Sequence, residues 1–177
     1  QITQGAPFEV FLAADDQRPT RAVFEGLGVE GTVFTYAVGK VVLYSPTLDV
    51  TDGEAVLRAG EFQHIAIADP DTAPYGAAAL EIIEKLGLTD AIAAKQVTGG
   101  NITQTLQFVE SGNAELGFVA LSQVVGKPAT QVWIAPVENY APILQDAVLL
   151  KAGESDHAAQ SFVAFLQGPE AVAIIEK

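Results

Sequence analysis

The sequence feature that most constrains the fold is an alternation of short β-branched runs with longer stretches of helical periodicity. This alternation of strands and helices is typical of an α/β fold, so we predict mainly parallel sheets covered by helices. Strands are predicted over residues 8–12, 35–44, 64–68, 95–97, 116–120, 132–135 and 143–151. Helices are predicted over residues 18–27, 54–58, 75–86, 102–111, 158–166 and 169–176.

The two longest predicted strands, residues 35–44 and 143–151, lie far apart in the sequence. The segment between them is long enough to form its own lobe, and the two strands then cross between lobes as a hinge. We therefore predict lobe I from residues 1–38 and 141–177 and lobe II from residues 39–140, with a ligand cleft between them.

Composition excludes several classes of function. The net charge of −13 argues against binding to nucleic acid or to anionic lipid. The absence of cysteine excludes disulfides, zinc–thiolate sites and thiol catalysis. No apolar run is long enough to cross a bilayer, and we expect no signal peptide in this sequence. It does not begin with Met, for which a cleaved leader is one explanation and an incomplete sequence another.

Residues 69–77 join a predicted strand to a predicted helix that begins near Tyr75. The unpaired N–H groups of a first helical turn and the helix dipole favour an anion at such a place. The Tyr75 hydroxyl adds a donor without a formal charge. An ordinary loop capped by Asp71 or Thr72 explains the same pattern, and this segment alone does not separate the two interpretations.

Residues 97–104 repeat this arrangement with a Gly-Gly pair that allows a ligand to approach the backbone closely. Asn101 is a favourable N-cap, and the N–H groups of Ile102 and Thr103 are then predicted to point into the cleft. A plain capped turn is the alternative. Two helix N-termini at one sheet edge shift the balance towards a ligand site, because ligands collect at the carboxyl ends of parallel strands.

The acidity of the chain does not exclude an anionic ligand at these two loops. Backbone N–H groups and hydroxyls hold an anion without Lys or Arg, and local dipoles override net charge. Each charge-assisted hydrogen bond contributes about 1.5–3 kcal/mol. A site made only of donors also rejects protonated anions, because nothing accepts their proton.

Other candidates for chemistry are weaker. The carboxylates of Glu9, Asp15 and Asp16 suggest acid–base catalysis or a hard metal, but a solvated loop explains them more simply. His64 and His157 have no Cys, Asp or His at metal-ligand spacing. The sequence contains no nucleophile elbow, P-loop or dinucleotide fingerprint, so we predict no cofactor and no directly bound metal.

Six segments resemble the periplasmic molybdate-binding proteins of ABC importers, in the branch whose site tyrosine lies in an APYG loop. They are GAPFEVFLAAD (5–15), FTYAVGKVVL (34–43), APYGAA (73–78), AELGFVAL (114–121), QDAVLL (145–150) and GPEA (168–171). The resemblance runs along essentially the whole chain.

This resemblance implies a two-lobed type II periplasmic-binding-protein fold that binds molybdate or tungstate between its lobes. It implies an extracytoplasmic receptor that docks on an ABC transporter permease and catalyses no reaction. The APYG hydroxyl is assigned to Tyr75 and a helix-start N–H to Ile102, with Asn101 and Thr103 beside it. Molybdate and tungstate share charge and shape, so the sequence does not separate them.

One departure concerns the first lobe. Members of the family begin with an extra strand–helix–strand whose loops supply two hydroxyl-bearing ligands, and this sequence resembles them only after that point. We therefore expect an incomplete lobe I, from an upstream segment outside this sequence or from a truncated relative. The strand at residues 8–12 is then an exposed edge that can pair with a second copy in a swapped dimer.

Three other functions stay open. Loss of the first-lobe loops leads to a scaffold that binds oxyanions weakly or not at all. A small α/β hydrolase using Asp15 or Asp16 would turn over phosphate esters, whereas a receptor binds one oxyanion without turnover. A cytoplasmic sensor of the same fold needs a DNA-binding segment, and the acidity argues against one.

Overall fold

The computed structural model describes residues 1–176, and the chain forms two compact units. Unit 1 contains Gln1–Val38 and Leu144–Lys177, and unit 2 contains Gly39–Ile143. The backbone therefore enters unit 2 once and leaves it once.

Strands and helices alternate along most of the chain, which confirms the predicted α/β class. The strands are β1 (Val10–Leu12), β2 (Phe34–Gly39), β3 (Val41–Tyr44), β4 (Ile65–Ala68), β5 (Gln96–Gly99), β6 (Leu116–Ala120), β7 (Val132–Ile134) and β8 (Ile143–Leu149). The α-helices are α1 (Gln17–Phe24), α2 (Gly53–Ala59), α3 (Pro74–Lys85), α4 (Thr89–Ala93), α5 (Ile102–Glu110), α6 (His157–Leu166) and α7 (Pro169–Ile175).

Most predicted elements agree with the observed ones to within two or three residues at each end. The predicted strand 35–44 is divided at Lys40 into β2 and β3. Helix α4 and the single-turn 3₁₀ helices, among them Leu121–Gln123 and Ala129–Gln131, were not predicted. These elements are too short to develop a hydrophobic period that sequence analysis can detect.

Unit 1 contains a three-stranded sheet in the order β1-β8-β2. Strand β1 is antiparallel to β8, with Val10 opposite Leu149. A small apolar cluster around Ala22, Val148 and Leu150 packs helix α1 onto this sheet.

Polar contacts in unit 1 join strands that are more than a hundred residues apart in sequence. The Thr35 hydroxyl donates to the buried Asp146 carboxylate over 2.7 Å, and the Tyr36 hydroxyl donates to Gln145 Oε1 over 3.1 Å. Burial, with a smaller effect of the Asp146 charge, raises the pKa of Tyr36 above its ordinary value. Tyr36 therefore stays a neutral donor.

Unit 2 contains a five-stranded mixed sheet in the order β5-β4-β6-β3-β7. Strand β4 is parallel to β5 and β6, but β3 is antiparallel to both of its neighbours. Strands β4, β5, β6 and β7 therefore run in one direction and β3 alone runs against them, so the sheet of unit 2 is mixed although most of its strands are parallel. Strand β3 follows β2 directly and runs opposite to β4, β5 and β6, each of which is preceded by a helix. The sequence did not reveal this difference, because hydrophobic periodicity carries no information about strand direction.

The sheet of unit 2 is buried on both faces. Along β3, Val41 and Leu43 belong to one apolar cluster, and Val42 and Tyr44 belong to the other, as the two-residue period of a strand requires. Helix α3 contributes to the first cluster and α5 to the second. All four residues of β4 are buried, which explains why this strand is a continuous apolar run.

Across residues 1–176, no single helix is both long enough and apolar enough to span a membrane. The pair of helices α6 and α7, which is bent by 58°, meets the requirement together by length and composition only.

Candidate functional site

Two helices of unit 2 begin at the same edge of its sheet. Strands β4 and β5 are parallel and in register, so Ala68 lies opposite Gly99 at their carboxyl ends. The register extends one step further, where the Asp69 N–H donates to the Gly99 carbonyl over 2.7 Å. Helices α3 and α5 start a few residues beyond these strand ends. We call this region, formed by residues 69–75 and 99–104, the carboxyl edge.

Two glycines allow the helices to pack tightly onto the strand ends. A Cβ atom at Gly76 would lie 2.1 Å from the Ala68 carbonyl oxygen, and one at Gly99 would lie 2.6 Å from Thr105 Oγ1. Any larger residue would push the helix start away from the sheet. The first turns of α3 and α5 are therefore held close to the ends of β4 and β5.

The first turn of α3 has no side-chain cap. Its N-cap is Ala73, a residue whose side chain cannot accept a hydrogen bond. The loop is instead closed by Asp69, which accepts from the N–H groups of Asp71 and Ala73. Proline at position 74 supplies no N–H, so fewer donors are left at this helix start than at an ordinary one.

Tyr75 is anchored in the core at the start of α3. Its side chain is only 6% exposed and packs in the same apolar cluster as Ala78, Ala79 and Ile82. The ring is therefore held by packing, and the hydroxyl is a polar group on an otherwise apolar side chain.

Helix α5 has a complete N-cap. Asn101 Oδ1 accepts from the Gln104 N–H over 2.9 Å, and the Asn101 carbonyl accepts from the Thr105 N–H over 3.0 Å. Within residues 1–176, the N–H groups of Ile102 and Thr103 have no hydrogen-bond acceptor. The helix start therefore presents two neighbouring backbone donors, and their role in binding a ligand stays a prediction.

The exposure of the α5 residues fits this arrangement. Ile102 is half-buried and packs against the same apolar cluster as Tyr75, while Asn101 and Thr103 are exposed. Both stretches of the carboxyl edge lack Lys and Arg. The neutral donors and helix dipoles at this edge favour an anion, whereas the carboxylates of Asp69 and Asp71 oppose one.

Sequence analysis missed two glutamines at this edge. Gln104 Oε1 accepts from the Gly100 N–H over 2.7 Å, and Gln123 reaches the α5 start from the end of β6. The contact of Gln104 was predictable, because Asn101 followed three residues later by Gln104 resembles a capping box. The contact of Gln123 was not predictable, because Gln123 is remote from α5 in sequence.

The remaining candidate residues do not form part of the carboxyl edge. Asp15 pairs with the Arg18 guanidinium, and Asp16 lies beside it at the start of α1. His64 Nδ1 is 3.9 Å from a Glu115 carboxylate oxygen. His157 Nδ1 is 3.3 Å from Ser161 Oγ. In the part of the chain that the structure describes, no group of three His, Cys, Asp or Glu residues is placed to hold a metal ion.

The chain is similar to known binding proteins along its whole length. The family model described as bacterial extracellular solute-binding protein matches residues 1–177. The molybdate-binding protein ModA of Rhodobacter capsulatus is 52% identical over 177 residues, which is 100% of this chain and 70% of the relative. The ModA protein of Azotobacter vinelandii is 53% identical over 180 residues, with 99% of this chain and 71% of the relative covered.

A solved structure shows the same fold. The periplasmic molybdate-binding protein of Azotobacter vinelandii superposes with a TM-score of 0.91 at 38% identity, covering 99% of this chain and 79% of that one.

Proposed function

We propose that this chain, which belongs to the bacterial extracellular solute-binding protein family, binds molybdate in the periplasm and delivers it to the permease of an ABC transporter. The two relatives above 50% identity support this proposal, because both are molybdate-binding proteins and both align with almost all of this chain. These relatives bind a solute, so the role that follows is that of a receptor and not of an enzyme.

The observation that supports an oxyanion site is the pair of helix starts at the carboxyl edge. We propose that the Ile102 and Thr103 N–H groups and the Tyr75 hydroxyl donate to the oxyanion, with Asn101 beside them as the cap. Molybdate is a tetrahedral dianion whose oxygens only accept hydrogen bonds, so a set of neutral donors matches it. Each charge-assisted bond contributes about 1.5–3 kcal/mol.

Three donors do not surround a tetrahedral ion, so a complete site needs further donors. We propose that residues 1–38 and 141–177 form lobe I and that residues 39–140 form lobe II. The division of the chain into two compact units supports this organisation, with the second boundary after Ile143 instead of residue 140. The chain passes between the two units twice, near Gly39 and Ile143.

Isothermal titration with molybdate tests the receptor function directly. We expect saturable one-to-one binding of molybdate and no binding of sulfate or phosphate at the same concentrations. A folded protein that releases no heat with molybdate would refute the proposal. Hydrolysis of a phosphate ester, measured in parallel, would favour the hydrolase alternative instead.

Tungstate is the second ligand that we propose. It has the same charge and tetrahedral shape as molybdate and nearly the same size, whereas sulfate is smaller, so a site that selects molybdate over sulfate by size accommodates both. Titration of the molybdate-saturated protein with tungstate should show competitive displacement. Binding of molybdate without displacement by excess tungstate would restrict the site to molybdate.

Self-association through β1 stays a prediction. This strand is at one edge of the unit 1 sheet, with β8 as its neighbour. An edge strand offers backbone groups to a second chain. Sedimentation at several protein concentrations distinguishes a monomer from a dimer.

A further inference from the structure

We propose that Gln123 is a positioning residue for the oxyanion site, and this inference rests on the proposed function. Gln123 ends the 3₁₀ helix Leu121–Gln123, which directly follows strand β6. Its side chain is half-buried and contacts two backbone groups at the carboxyl edge. Oε1 accepts from the Ala120 N–H over 3.1 Å, and Nε2 donates to the Ile102 carbonyl over 3.3 Å.

The second contact acts on a donor of the oxyanion site. The carbonyl of Ile102 and the N–H of Thr103 belong to one planar peptide group. A hydrogen bond to that carbonyl fixes the plane of the peptide and polarises its N–H, because hydrogen bonds in a chain strengthen one another. The Thr103 N–H is one of the two donors at the start of α5 that have no acceptor among residues 1–176. Gln123 therefore orients and strengthens this donor without touching the ligand.

The chemistry of the side chain explains why a glutamine serves here. An amide offers an acceptor and a donor at the same time. The Ala120 N–H requires the amide oxygen on its side, which directs the nitrogen towards the Ile102 carbonyl. Strand β6 is parallel to β4, so its carboxyl end lies at the same sheet edge as those of β4 and β5. Gln123 thus ties the start of α5 to a third strand.

Two other side chains accept hydrogen bonds from N–H groups of this turn. Gln104 accepts from the Gly100 N–H, and Asn101 accepts from the Gln104 N–H. With these groups satisfied, the N–H groups of Asn101, Ile102 and Thr103 are the donors of the turn without an acceptor among residues 1–176. Loss of the Gln123 contact is then expected to act on the Thr103 donor in particular.

The test replaces Gln123 and follows both molybdate affinity and the Thr103 amide. In Gln123→Leu we expect molybdate to bind about three- to tenfold more weakly with unchanged stoichiometry. In the ligand-free protein, the Thr103 cross-peak in a ¹H–¹⁵N spectrum should move upfield, because its peptide group is less polarised. Gln123→Glu retains the acceptor for Ala120 and loses the donor, so it should show the same amide shift even if the leucine variant does not fold.

Gln131→Leu is the matched control. Gln131 also donates its side-chain amide to a backbone carbonyl, that of Pro46, over 3.0 Å. It lies at the opposite edge of the sheet, beyond the end of β3, so its loss should change neither the affinity nor the Thr103 signal.

The possible outcomes separate this inference from the proposed function. If the unaltered protein binds molybdate but both Gln123 variants keep its affinity and its Thr103 signal, Gln123 is not a positioning residue. If the unaltered protein does not bind molybdate, the proposed function itself fails. Weaker binding together with the amide shift, absent in Gln131→Leu, supports the positioning role.

Discussion

Tyr75 combines a structural and a proposed binding role in one side chain. Its ring is held in the core of unit 2 at the start of α3, and its hydroxyl is proposed to donate to the oxyanion. Packing of the ring allows the hydroxyl to keep one direction, which reduces the entropy that binding must overcome. The APYG segment identified this residue in the sequence, but only the structure places its side chain in the core.

We predict that Tyr75→Phe weakens molybdate binding by about 1–3 kcal/mol, because one donor is lost while the ring stays packed. Titration of the variant measures this loss, and thermal unfolding checks that the fold is retained. An unchanged affinity would remove Tyr75 from the proposed site.

Tyr44→Phe provides the matched control for this prediction. Tyr44 is also a buried tyrosine, but it lies at the opposite end of the sheet, where its hydroxyl donates to Glu110. Hydrogen bonds from Lys127 and Tyr44 lower the pKa of Glu110. We expect this variant to lose some stability and to bind molybdate as the unaltered protein does.

At the scale of the element, the start of α5 shows how capping selects the donors of a site. A helix has four N–H groups without an intrahelical acceptor at its first turn. In α5 the Asn101 side chain accepts a hydrogen bond from the Gln104 N–H. The N–H groups of Ile102 and Thr103 stay available to a ligand. The cap was predictable from the residue type and the flanking glycines.

We predict that Asn101→Ala destabilises the protein by about 0.5–2 kcal/mol through loss of the cap, and also weakens molybdate binding. Chemical denaturation measures the first effect and titration the second. Asp52→Ala is the control, because Asp52 caps α2 in the same way by accepting from the Ala55 N–H. If both variants lose stability and neither loses affinity, Asn101 is a structural cap and no part of the site.

At the scale of the whole molecule, net charge opposes capture of the proposed ligand. The chain carries 22 acidic and 9 basic residues, so a divalent anion approaches a negative field. Local donors hold the bound ion at short range, while the field acts at long range and is screened by salt. The net charge therefore affects the rate of association more than the strength of the bound state.

We predict that the association rate of molybdate rises with ionic strength. Stopped-flow measurements at about 10 mM and about 150 mM salt, where the Debye length falls from about 30 Å to about 8 Å, test this directly. Sodium chloride and potassium chloride should give the same trend, which excludes a specific ion effect. A rate that falls with added salt would indicate a local positive field at the entrance to the site.

The sequence by itself determined the positions of most strands and helices and the Asn101 cap. It also carried the family resemblance, and the family assignment and the two-lobed binding-protein fold are confirmed by similarity to known proteins. These features were predictable because each depends on residues within about one turn or one strand of one another. The roles of Tyr75, Asn101, Ile102 and Thr103 in ligand binding stay predictions.

Only the tertiary structure decided the direction of β3, which makes the sheet of unit 2 mixed, and the contact of Gln123 with the start of α5. Strand direction depends on how the chain returns to the sheet, and hydrophobic periodicity is the same in both directions. The Gln123 contact joins groups 21 residues apart across two elements. Such pairings arise from packing between elements, which no local pattern of residues encodes.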